Sequence, residues 1–114
     1  MDSCVFCKIV AKKVPASVVS DSAEWMSFND INPQAPVHIV LIPKKHVSNL
    51  SELGPGDAPL VASLVREAER ITREKNLASA GYRIVLNCNT NGGQTVPHLH
   101  FHILAGRTMK WPPG

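Results

Sequence analysis

Read for apolar and polar positions, the chain breaks into short alternating stretches and one long helical one. Ser17–Ser22 and Glu24–Asp30 read as two strands separated by a turn near Asp21–Ala23. Val37–Lys44 is rich in β-branched residues and reads as a third strand, with Pro43 near its end. Tyr82–Asn87 is a fourth. The fifth, His98–Leu104, alternates strictly, with Leu99, Phe101 and Ile103 between His98, His100 and His102. After the breaker Gly54–Asp57, helical spacing runs from Ala58 to Lys75. Leu60, Val61, Leu64, Val65, Ala68 and Ile71 form its expected apolar face, and Arg66, Glu67, Glu69, Arg70 and Arg73 the expected outer one. Pro59 suits the first turn and Ser79–Gly81 the stop. A short helix is expected from about Cys4 to Lys12, capped by Asp2 or Ser3, with Phe6, Ile9 and Val10 inside and Pro15 beyond its end. Five strands with mostly short connections and one long helix predict an α+β fold on a five-stranded antiparallel sheet.

A length of 114 residues allows one domain, 1–114, with a single core. The segment 105–114 continues neither sheet nor helix. The apolar runs are too short to cross a membrane, and the N-terminus does not read as a signal peptide. The net charge of +3 leans weakly toward anionic partners such as phosphates, and its scatter argues against nucleic acid. Three cysteines without a secretion signal suggest a reducing, cytoplasmic setting. Cys88 reads as a small buried hydrophobe.

The period of two puts three imidazoles on one strand face, roughly 6.5–7 Å apart. They can form a solvated polar face, a metal site or a catalytic site. A neutral imidazole is a competent nucleophile toward phosphorus when its other nitrogen is held and a second group serves the leaving atom. The loop before them, Asn89–Thr95, contains Gly92-Gly93, which can either turn its N–H groups toward an anion or simply be flexible. Gln94 and Thr95 add side-chain donors there, making Gly93, Gln94 and Thr95 candidate phosphate contacts. Cys4 and Cys7 form C-x-x-C. That spacing fits two ligands of a tetrahedral Zn²⁺ completed from elsewhere, a redox dithiol, or two unligated cysteines. No βαβ pattern follows to support the redox reading.

These residues carry a resemblance. "HLHFHIL" matches the signature of the histidine triad (HIT) family, three histidines alternating with apolar residues. "FNDINPQAPVHIVLIPKKH", "NGGQTVPHLHFHIL" and "WPPG" resemble its Hint branch, the histidine triad nucleotide-binding proteins, and the likeness runs from Cys4 to Gly114. It implies a homodimer whose sheets join across the interface. It also implies purine nucleotide binding (AMP or GMP) and hydrolysis of nucleoside phosphoramidates. His100 matches the nucleophile that becomes nucleotidylated, His102 its partner at the α-phosphate, and His98 the outer member of the triad. His38 matches a supporting histidine on the adjacent strand. Asp30 matches the acid that takes the ribose hydroxyls, and Phe28 and Ile31 flank the base. Asn87 and Thr95 match polar residues near phosphate and leaving group; many Hint proteins have Ser at the Thr95 position. Trp111 matches a tail residue reaching the partner's site. Animal Hint proteins lack the C-x-x-C. In the many microbial HIT proteins that have it, Zn²⁺ lies on the residues matching Cys4, Cys7, His46 and His98, a closed and therefore structural site. No cofactor is implied for the chemistry. Two other readings stay open at this point: a nucleotide-binding regulator with incidental turnover, and a zinc module in which every histidine serves metal.

Overall fold

A computed structural model describes residues 3–114. Its elements follow the order α1 (Val5–Val10), β1 (Val18–Asp21), β2 (Trp25–Asn29), β3 (Val37–Pro43), α2 (Ala58–Glu74), β4 (Tyr82–Val85) and β5 (Phe101–Ala105), with two single-turn 3-10 helices ahead of α2. The five strands form one antiparallel sheet in the order β1-β2-β3-β5-β4. The short β1–β2 and β2–β3 connections permit only antiparallel pairing, and the long α2 crossover carries β4 one position beyond β3, leaving the slot that β5 fills antiparallel to both.

Alternation divides the central strands between two layers. Ile39 and Leu41 of β3 and Phe101 and Ile103 of β5 face α2, where they pack with Leu64, Ala68 and Ile71. Val40 and Ile42 face the other way, toward Phe6 and Ile9 of α1 and Met26 and Phe28 of β2. Both faces of the sheet centre are thus covered, which leaves no solvated face for the histidines.

Several expectations are corrected. The short helix is capped by Cys4, whose Sγ accepts from the Cys7 N–H at 3.4 Å, rather than by Ser3; Asp2 lies outside the described residues. The histidine strand begins its ladder at Phe101, so only His102 of the triad lies in the sheet. On α2, Val65 is exposed and Glu67 is buried, the reverse of the hydropathy reading. Glu67 is tolerated inside because the Arg70 guanidinium grips both carboxylate oxygens at 2.6 Å. Cys88 lies in the loop after β4, half-buried, 3.5 Å from the Ser51 hydroxyl; hydrogen bonds from Ser51 hold its thiol below the usual range.

Candidate active site and metal centre

On the α1 side of the sheet, β2, β3, β5 and α1 enclose a cleft of about 510 Å³. Its apolar wall includes Phe6, Ile9, Val14, Phe28 and Val40; its polar floor includes Asp30, His38, His100 and His102, with Gly93 and Thr95 at one side. His98 and His100 are almost wholly buried, which rejects the solvated polar face. Phe6 meets the His100 ring edge-on at 5.1 Å and the His98 ring at 5.7 Å.

Hydrogen bonds determine where each imidazole proton sits. The Gln34 backbone N–H donates to His38 Nδ1 at 3.0 Å, so a neutral His38 carries its proton on Nε2. That N–H points at His102 Nδ1, 2.9 Å away, with the Asp30 carboxylate 3.4 Å off. His102 Nδ1 therefore accepts, and its own proton is on Nε2. His100 Nδ1–H donates to the His98 carbonyl at 2.7 Å, which leaves His100 Nε2 as a lone pair. The two rings lie 4.8 Å apart between centroids. One presents a nucleophilic nitrogen and its neighbour an N–H donor. Burial pushes the pKa of His100 below the ordinary imidazole value. His102 is pushed down to about 4, first by burial and then by the neighbouring His100 and His38. Asp30 is held in place by the Asn32 N–H, which donates to Oδ1 at 2.8 Å.

His98 turns away from the cleft. Its Nε2–H donates to the Pro43 carbonyl at 2.8 Å, which frees Nδ1. Around that Nδ1 stand Cys4 Sγ at 3.4 Å, Cys7 Sγ at 3.6 Å and His46 Nδ1 at 3.1 Å, with His46 Nδ1 and Cys7 Sγ 3.3 Å apart. A tetrahedral ion with bonds of 2.0–2.3 Å has ligand–ligand edges of about 3.3–3.8 Å, close to this spacing. The four donors come from α1, the end of β3 and the approach to β5, and they could hold a metal. Asp30, His38 and His102 also lie close together. There, however, His38 Nε2 carries a proton, so its lone pair is not free, which argues against a second metal and against the all-metal reading.

The remaining candidates are placed as follows. Thr95 lines the cleft, and Ile31 stands fully exposed at its rim. Asn87 does not line it; its amide donates to the Gly92 carbonyl at 2.6 Å. Gln94 is likewise turned into the loop. The Gly93 and Gln94 N–H groups are taken up by the Thr90 and Asn89 carbonyls, so the anion-cradling reading does not hold for those two groups. Trp111 is largely exposed and away from the cleft of its own chain. Sequence reasoning missed the Gln34 N–H, the Pro43 carbonyl and the cleft role of Phe6. Only Phe6 left a signal, as an apolar residue beside Cys7.

Residues 3–111 match the family model described as scavenger mRNA decapping enzyme C-term binding. The chain is 42% identical over 110 residues to an uncharacterized HIT-like protein of Synechocystis, covering 96% of each. This chain belongs to the histidine triad family. It is also 41% identical to protein HitA of Neisseria gonorrhoeae, over 91% of this chain and 96% of that one. A HIT family hydrolase from Legionella pneumophila superposes with a TM-score of 0.97 at 43% identity, covering 98% of this chain and all of the other. A histidine triad protein from Clostridium difficile gives 0.92 at 39%, covering 96% and 95%. A histidine triad nucleotide-binding protein from Candida albicans gives 0.83 at 30%, covering 96% and 83%. The HIT fold and its similarity to hydrolases are thus shared with solved relatives.

Proposed function

We propose that this HIT protein is a purine nucleotide-binding hydrolase of the Hint branch. It cleaves the P–N bond of nucleoside 5'-phosphoramidates to give the nucleoside monophosphate and a free amine. The observation that carries the reading is the proton arrangement: a buried neutral lone pair on His100 Nε2 beside the His102 Nε2–H. The cleft volume suits a mononucleotide. Its apolar wall, with Phe28 and the rim residue Ile31, takes the base; Asp30 takes the ribose hydroxyls.

His100 Nε2 attacks the α-phosphorus as the P–N bond breaks. The amine departs with the bonding pair and one proton, which the Thr95 hydroxyl donates while replacing it from solvent. His102 Nε2–H stabilises charge on the phosphate oxygens, oriented by His38. Water then attacks phosphorus and gives up a proton to solvent, which offsets the one taken in the first step, as the His100–phosphorus bond breaks and leaves a neutral imidazole. Zn²⁺ is the proposed occupant of the Cys4, Cys7, His46 and His98 cluster, a closed donor set that supplies stability. A reducing, cytoplasmic setting belongs to the proposal, because thiolate ligands must stay reduced. So does a homodimer.

The test is intact-protein mass spectrometry after rapid acid quench with an alkyl or aminoacyl adenosine phosphoramidate. A nucleotidyl adduct on wild-type protein, absent from His100→Ala, supports the reading; turnover without an adduct, or no turnover, rejects it.

A further inference from the structure

Gln94 carries an amide with every polar position engaged on main chain. Its Oε1 accepts from the Asn89 N–H at 2.9 Å, and its Nε2 donates to the Ser48 carbonyl at 2.7 Å and the Val96 carbonyl at 3.0 Å. The orientation of the amide is dictated, since an N–H can only face the oxygen and two carbonyls can only face the NH₂. With both donors occupied, Gln94 has none left for a nucleotide.

The pattern of the three bonds is informative. Gln94 and Val96 flank Thr95, so the bond from Nε2 to the Val96 carbonyl closes a ring around Thr95. The bond to Ser48 fastens that ring to the segment whose Val47 carbonyl accepts the Leu99 N–H at 2.6 Å, one residue before the nucleophile. The bond from Asn89, with the Gln94 N–H donating to the Asn89 carbonyl at 3.1 Å, fastens it to the far end of the loop. The Thr95 hydroxyl takes no part in these bonds, and Thr95 is among the residues that line the cleft with His100 and His102. A Thr on a glycine-containing loop has no rigid element of its own to aim it; the Gln94 amide supplies one.

We propose that Gln94 is a positioning residue that aims the Thr95 hydroxyl at the departing amine. This rests on the P–N hydrolase reading and adds to it the residue that makes leaving-group protonation effective. Gln94 touches neither nucleotide nor amine; it acts through Thr95.

The experiment compares wild type, Gln94→Glu, Gln94→Met, Thr95→Val and the two double variants. kcat/KM is measured for adenosine phosphoramidates that differ only in the basicity of the leaving amine, and AMP affinity is measured in parallel. Gln94→Glu keeps the acceptor for Asn89 and loses both donors; Gln94→Met keeps length and loses all three bonds. Each should lower kcat/KM by about tenfold or more, the loss growing as the amine becomes more basic, with AMP affinity nearly unchanged. In the Thr95→Val background either substitution should change the rate by less than about twofold, because the residue it positions is already disarmed. A single common factor across the amines, full additivity with Thr95→Val, or a parallel loss of AMP affinity makes Gln94 a general loop brace and overturns the proposal. Wild-type protein that turns over no phosphoramidate overturns the hydrolase reading first, and this role with it.

Discussion

His100 and His102 sit two positions apart and present opposite halves of one chemistry, a lone pair and an N–H. On the proposed function, substituting His100→Ala should abolish the proposed covalent intermediate and nearly all turnover while the proposed AMP binding survives; titration calorimetry beside the quench assay checks both. His102 also sets a pH dependence. Its folded-state pKa of about 4 lies below the unfolded value of roughly 6.5, so the fold favours the neutral ring. Unfolding then takes up a proton between those values. Stability from this group is full above about pH 6.5 and is lost as pH falls toward 4. Urea midpoints measured from pH 7 to pH 4.5 should fall, and His102→Gln should flatten the part of the slope due to this ring. The alternation of the sequence set the three triad imidazoles opposite the apolar residues, but that His98 turns to the cysteines while His100 and His102 meet the cleft was implied only by the family resemblance. The sequence was silent on which nitrogen holds each proton. Those assignments come from Gln34 and from the His98 carbonyl, main-chain groups that any residue other than proline supplies equally at the N–H and that every residue supplies at the carbonyl.

At the scale of elements, α1 is six residues long and too short to hold a helix alone. It is fixed by Phe6 and Ile9 beneath and by the cysteines at its start, and it forms one wall of the cleft. Stripping metal with a strong chelator should therefore loosen α1 first. Hydrogen exchange of its amides should rise and the melting temperature drop, while purified protein should carry about one zinc per chain by elemental analysis. Equal stability with and without metal would reject the structural role. The α2 helix shows where periodicity misleads. The buried stripe runs through Leu64, Glu67, Ala68, Ile71 and Thr72, rotated toward a carboxylate that hydropathy places outside. Arg70→Met should cost on the order of 2 kcal/mol or more by leaving Glu67 buried without its cation, toward the low end for buried pairs because Arg70 is itself partly exposed. The double variant with Glu67→Met should recover most of that in urea unfolding.

For the whole molecule, β4 is an edge strand with Tyr82 and Ile84 exposed, and the tail carries Trp111 in solvent. An open apolar edge is a pairing surface, and the proposed homodimer uses it. Sedimentation should give twice the chain mass, and Ile84→Lys should shift it toward one; a wild-type monomer rejects the dimer. Deleting residues 111–114 should alter preference among leaving amines more than affinity for AMP, read from the same phosphoramidate series. The sheet order has a consequence for synthesis. β4 is joined to the sheet through β5, the last strand to be made, and Cys4 waits for His98 to complete its cluster. A growing chain on the ribosome holds neither the triad nor the donor set until His98, His100 and His102 have emerged, after α1, α2 and the other four strands. Premature termination before Phe101 should thus give fragments for degradation rather than partly working proteins, since every one of them lacks the strand that joins β4 to β3.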